Sequence, residues 1–189
     1  MKYRVLLLLA LSLSSLGYSQ SSPYSSVPAY PETYTAGSVA ARTIDGLIFR
    51  FHWATEGLRE NDLAYKPGQG ARTTQETIEH IYEMSFIVAN AASNKSNVKG
   101  QDVKLPFAEM RKKTLENLRE ASNKLLSIPD QEMKNLKVIF TDGKKNHEYP
   151  FWNVINGPLE DCIWHTGQIV SFRRSSGNPI ADKDYFMGK

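Results

Sequence analysis

The stretch TTQETIEHIYEMSFIVANAA, residues 73–92, decides the fold class. Thr73 followed three residues later by Glu76 has the form of a capping box, in which each side chain serves the other's backbone N–H and opens a helix. After it, Ile78, Ile81, Tyr82, Ser85, Val88, Ala89 and Ala92 recur at intervals of three and four. On a helix of about 3.6 residues per turn that spacing gathers into one buried stripe, with Glu79, Glu83 and Asn90 on the wet side.

The same period appears on either side of this segment. Upstream, Lys66-Pro67-Gly68-Gln69-Gly70 is loop chemistry, and before it a first helix runs from about Ser38. Its Ile44, Leu47, Ile48, Phe51, Thr55 and Leu58 share one arc, while Arg42, Asp45, Trp53 and Glu56 share another. Downstream, residues 94–104 form a polar loop. Pro106 is placed to open a third helix, where Phe107, Met110, Thr114, Leu118, Ala121 and Leu125 recur at three or four, and Pro129 ends it. Residues 136–140 and 147–152, joined by an Asp142-Gly143 turn, predict a short β-hairpin. A fourth helix runs from about Gly157-Pro158 to Ser175-Ser176-Gly177. Four amphipathic helices with one long connection predict an all-α, antiparallel four-helix bundle. Its core is expected at Leu47, Phe51, Ile81, Val88, Leu118, Ile163 and Val170, with the hairpin between helices three and four lying off the bundle.

The 189 residues leave room for one domain, and 41% hydrophobic against 23% charged residues is enough for a packed core. Twenty-three Lys plus Arg against 20 Asp plus Glu, with no long basic tract, argues against nucleic acid as a partner. At the N-terminus, Lys2 and Arg4 precede an apolar run over 5–13, and Gly17-Tyr18-Ser19 is a small-x-small cleavage site. Residues 1–19 therefore read as a secretory signal peptide, too short in its apolar run for the roughly 20 residues that span a bilayer. No cysteine stands near the cleavage site to carry a lipid. The chain is expected to be periplasmic or secreted, with no stable membrane anchor. Residues 20–38, rich in Ser, Pro and Tyr, read as a flexible leader; 39–177 as the bundle; 178–189 as a tail. Cys162 is the sole cysteine, so no intrachain disulfide forms, and within an apolar pattern it reads as a buried small hydrophobe.

Chemistry concentrates on the fourth helix. Asp161, His165, Gln168 and Phe172, at offsets of four, seven and eleven, form one stripe beside Cys162, Ile163, Ile169 and Val170, which turns Asp161 and His165 inward. On the second helix His80 shares an arc with Met84, Ile87 and Ala91. Two imidazoles and a carboxylate supply three ligands and leave positions open on a divalent metal ion such as Zn²⁺, Fe²⁺ or Ni²⁺. The same three groups can equally form a hydrogen-bonded structural cluster. His52, at the edge of the first helix's apolar arc, is a candidate pocket residue or further ligand, and His147 reads as surface. Arg111-Lys112-Lys113 and Arg173-Arg174 read as solvated helix faces. A Gly-rich phosphate loop, a nucleophile elbow and an HExxH pair are all missing from the sequence.

Two motifs carry a family resemblance. Thr73-Thr74-Gln75-Glu76-Thr77-Ile78-Glu79-His80-Ile81, following Lys66-Pro67-Gly68, resembles the start of the second helix of DinB-like proteins. Ile163-Trp164-His165-Thr166-Gly167-Gln168-Ile169 resembles their fourth-helix motif, and the likeness covers residues 39–177. The resemblance implies a DinB-like bundle with a divalent metal held by His80, His165 and the residue one turn before His165. That residue is histidine in the family's usual pattern and Asp161 here, which keeps a ligand and adds a negative charge. It further implies thiol-dependent transfer or isomerisation, or metal-assisted hydrolysis, of a small-molecule substrate, with Gln168 orienting a ligand or touching substrate, and pairing as a homodimer. The rival class is a non-catalytic binding or stress-response module whose metal site is structural or vestigial. Intact-mass spectrometry of protein recovered from the producing cell tests the export reading: the mature chain should begin at Gln20 or Ser21, and a retained Met1 would sink it.

Overall fold

The computed structural model describes residues 22–98 and 104–189, so the expected signal peptide, residues 1–19, lies outside the described residues. The protein is predominantly helical with a small three-stranded sheet. Four long helices dominate: α1 Ala36–Thr55, α3 Thr74–Ala91, α4 Phe107–Ser127 and α7 Glu160–Ser175. Shorter helices are α2 Glu60–Ala64, α5 Asp130–Met133 and α6 Trp152–Val154, and the strands are β1 Ser96–Val98, β2 Lys137–Thr141 and β3 Asn146–Pro150.

The helices begin where their caps dictate. Thr73 Oγ1 accepts from the Glu76 N–H at 3.1 Å, and Glu76 Oε2 accepts from the Thr73 N–H at 2.7 Å, which completes the capping box expected for α3. Thr35 and Ser38 make a second such box and start α1 slightly earlier than its apolar period indicates. The expected stripe of α3, from Ile78 to Ala92, is buried throughout, as are Met110, Thr114, Leu118, Ala121 and Leu125 of α4.

Contacts at the helix ends fix the chain directions. At one end Arg111 of α4 donates to Thr55 of α1, and at the other the Ala36 N–H donates to Asp130 just past α4, so α1 and α4 run antiparallel. The start of α1 sits so close to the end of α4 that a β-carbon on Gly37 would collide with the Leu125 carbonyl oxygen. Tyr65, next to the start of α3, packs its ring on Phe172 near the end of α7, which makes that pair antiparallel too. Arg173 of α7 meets the end of α1. It follows that α3 and α4 start from the same end and run opposite to α1 and α7, so that of the neighbouring pairs α1 with α4 and α3 with α7 are antiparallel, while α3 with α4 and α1 with α7 are parallel.

Polar residues account for most departures from expectation. Asp45, placed by its period on the wet arc of α1, is buried against α4, where Arg119 Nη1 and Ser122 Oγ both donate to its Oδ1 at 2.7 Å. Arg42 and Trp53, read as wet, are covered by the segments flanking the helices. Arg42 donates to the Pro28 carbonyl at 2.7 Å and Trp53 Nε1 to that of Ser25 at 3.2 Å, while Lys183 Nζ lies 3.6 Å above the Trp53 ring. The Val27 N–H bonds to the Gly188 carbonyl at 2.9 Å, so residues 22–35 and the tail are seated on α1 rather than free.

The hairpin forms as β2 and β3, antiparallel, with Val138 opposite Tyr149. Leu136 and Val138 join the core, so it packs on α3 instead of standing off. The polar loop over 94–104 contributes β1, parallel to β2. Asparagine side chains hold that strand: Asn90 donates to Asn97 at 2.9 Å and Asn97 to the Ile139 carbonyl at 3.0 Å. A strand pinned by side-chain hydrogen bonds shows no apolar alternation in sequence. The fourth helix is also broken at its start. Pro158 lacks an N–H and Gly157 leaves helical geometry at φ −117°, ψ −109°, so α6 and α7 meet through a π-type turn over Ile155–Leu159.

Among the described residues, Asp62 is the buried carboxylate that joins α2 to the end of α7. It accepts from Arg59 Nε at 2.9 Å, Ser176 Oγ at 2.6 Å and Asn178 Nδ2 at 2.6 Å. The hydrogen bond from Arg59, reinforced by those from Ser176 and Asn178, outweighs burial and holds its carboxyl well below the usual carboxylate range. A carboxyl that ionises more readily folded than unfolded contributes stability above about pH 4, lost as pH falls below it. Asp62→Asn should therefore cost on the order of 2 kcal/mol at neutral pH. It should also flatten the loss of stability on acidification, both measured by urea denaturation across pH.

Candidate metal centre

The site is set by the rotation of α7 about its own axis. Cys162, Thr166, Ile169 and Arg173 form its buried face, so the expected inward stripe of Asp161, His165, Gln168 and Phe172 lies one residue, about 100°, round from it. Ile163 and Val170, expected in the core, are only partly buried for the same reason. The stripe thus occupies the edge of the helix against α3, with Asp161 44% and His165 13% exposed.

His80, 21% exposed, reaches that edge from α3. Its Nε2 lies 2.9 Å from Asp161 Oδ2, and His165 Nε2 lies 3.4 Å from Asp161 Oδ1. The imidazoles meet edge to face with centroids 5.0 Å apart. One ligand atom from each of the three residues falls within 4.8 Å of the others. Each carboxylate oxygen faces a different imidazole, and both imidazoles present Nε2 to the shared space. The far nitrogen of His165 is engaged as well: Nδ1 sits 2.7 Å from Gln168 Oε1. Because that oxygen can only accept, Nδ1 donates to it, and this hydrogen bond turns Nε2 toward the shared space. On the other side His80 Nδ1 faces Glu83 Oε2 at 4.0 Å.

This donor set fits a borderline divalent cation. Two imidazole nitrogens and one carboxylate oxygen converge from two helices, with a side-chain acceptor orienting one ring. Asp161 also lines an open groove of about 670 Å³ bounded by α3, the hairpin and the π-type turn.

His52 is placed elsewhere. It is buried at the contact of α1 with α4, its Nδ1 2.9 Å from Arg111 Nη2, and it is not in the group that could hold an ion. Burial, with the Arg111 guanidinium beside it, holds its pKa below the ordinary histidine range, so it serves Arg111 as a neutral acceptor. Arg111 in turn also bonds Thr55 Oγ1 and Glu56 Oε2, and Arg173 is buried; neither is the solvated cation that its basic run implies. Gln168 Oε1 lies against His165 Nδ1, and His147 is exposed on β3. Sequence reasoning did not bring Phe140, Tyr149 and Trp164 together as a groove wall, because they sit on two strands and a helix far apart in the chain.

Compared with protein-family models, with curated proteins and with solved structures, the chain matches none. The chemistry of the site therefore rests on its donor atoms.

Cys162 adjoins the cluster without joining it. It is fully buried, its Sγ 3.9 Å from the Ile81 carbonyl oxygen, and burial, aided by the charge of Asp161, pushes its thiol far above the ordinary range. A thiol reagent at pH 8 should leave the native protein unmodified and titrate about one thiol after unfolding in guanidinium. Rapid native labelling would contradict this burial.

Proposed function

We propose that this chain is an exported DinB-like four-helix-bundle protein that holds a divalent metal ion through His80, Asp161 and His165, and that it acts as a metal-dependent hydrolase or transferase on a small molecule. One observation carries the reading: three ligand atoms of the right chemical types converge from α3 and α7 within 4.8 Å. The family likeness rests on the two motifs around His80 and His165, and the ring of long helices is compatible with it.

When bound, such an ion supplies Lewis acidity. The protein's own groups do the rest. Gln168 fixes the ring of His165, and Asp161 holds both imidazoles to one point and offsets part of the cation's charge. The 44% exposure of Asp161 and its place in the groove wall leave the site open on one side, as a catalytic site requires and a purely structural one does not. Export takes the protein to surroundings poor in small reduced thiols, which favours hydrolysis over thiol transfer.

A second reading draws on the 2.9 Å separation of His80 Nε2 and Asp161 Oδ2, which is also hydrogen-bond distance. In that case His80 carries its proton on Nε2, and the three residues form a metal-free cluster in a non-catalytic module. Calorimetric titration separates the two. The metal reading expects about one Zn²⁺ or Ni²⁺ per chain and loss of binding in His80→Ala and Asp161→Ala with unchanged circular dichroism. Gln168→Leu should weaken affinity about 10- to 100-fold. Metal at a hundredfold excess over Kd should raise stability by about 2.7 kcal/mol. If neither ion binds the wild-type chain, the metal reading fails and the metal-free cluster stands.

A further inference from the structure

We infer that the groove beside Asp161 binds an organic cation with an apolar body, such as a quaternary ammonium or hydrophobic amine. As an assignment of substrate class this rests on the metal reading above; as a binding site it does not.

The groove is a small-molecule space. Its volume of about 670 Å³ lies within the range of roughly 300 to 1,000 Å³ typical of ligand pockets. Its origin is the break between α6 and α7: Gly157 and Pro158 interrupt the helix, and the hairpin closes the opposite side. Val138 and Met84 provide an apolar floor.

Charge and aromaticity then select the ligand. Phe140, Tyr149 and Trp164 stand in the wall, Phe140 and Tyr149 edge to face at 6.3 Å. Trp164 is 72% exposed, so its ring is accessible to a ligand in the groove. Aromatic faces are electronegative and attract cations, and alkylammonium groups most of all when carboxylates stand nearby. Two do: Glu160 and Asp161 share the same wall. The lining contains no Lys, Arg or His, and the neighbouring Lys137, whose Nζ is 2.6 Å from Glu148, points from the other face of β2. With no ion bound, an anionic substrate would meet two carboxylates and three aromatic rings with no cationic side chain in the lining, and with an ion held by Asp161 the carboxylate of Glu160 and the rings still favour a cation. A quaternary ammonium compound would meet both attractions at once.

Binding of benzyltrimethylammonium provides the test, because its nitrogen has no lone pair and cannot ligate a metal. It is compared with benzyl alcohol and phenylacetate by calorimetry on the full mature chain, with chelator present and again with Zn²⁺. With chelator present, where phenylacetate cannot ligate an ion, the cation should bind at least about tenfold more tightly than either competitor. Trp164→Ala, at an exposed position that leaves the fold unchanged, should weaken it about fivefold or more, and Glu160→Gln about threefold. Phenylacetate binding as tightly as the cation with chelator present, or a Trp164→Ala chain that binds unchanged, would overturn the assignment. Cation binding that survives in a chain that takes up no Zn²⁺ would support the groove while removing the metal reading.

Discussion

Everything near the site depends on how Arg173 closes the end of α1. The last carbonyls of a helix have no intrahelical donors, and a buried guanidinium is costly unless its N–H groups are satisfied. Here the two deficits cancel. Arg173 is only 4% exposed; its Nη1 donates to the carbonyls of Trp53, Ala54 and Glu56 at 3.0 to 3.1 Å, and its Nε to that of Asn178 at 2.6 Å. This fixes both the height and the rotation of α7 against α1. With Arg173 inward, Ile169, Thr166 and Cys162 follow it inward at helical intervals. Asp161 and His165 are thereby carried to the edge, opposite His80.

Placement at an edge, and not in the core, gives the cluster its character. A carboxylate sealed among apolar side chains would have to be neutralised or fully hydrogen-bonded. Asp161 instead keeps one side to solvent while its two oxygens hold two imidazoles. The helix therefore needs no metal to pack, since its buried face is complete without these residues. The residues that could hold an ion and those that pack the helix lie on different faces of it.

The broken start of α7 matters in the same way. A straight helix from Trp152 onwards would run its first turns along α3 and leave no space beside the cluster. Pro158 and the non-helical Gly157 displace α6, and the hairpin, with Val138 in the core, stands across the gap. Local backbone chemistry thus creates the concavity, and the hairpin's aromatic side chains give it its surface.

Much of the architecture was legible in the chain alone, because long amphipathic helices announce themselves locally. The capping box at Thr73, the buried stripe of α3, Pro106 before α4 and the hairpin turn all depend on residues a few positions apart. The three cluster residues were legible too, since one-turn spacing places Asp161 and His165 together and His80 shares an arc with the apolar Met84, Ile87 and Ala91. What the sequence could not contain was the partnering of polar groups across distant segments. Asp45 looks solvated until Arg119 is brought to it, Arg111 and Arg173 read as surface charges until α1's carbonyls and side chains appear beside them, and His52 looks like a ligand until Arg111 occupies its nitrogen. Periodicity counts apolar residues and assigns the rest to water, so a face buried through hydrogen bonds is invisible to it. Tertiary structure alone decided the rotation of α7, because that rotation is determined by a buried arginine and not by an apolar stripe.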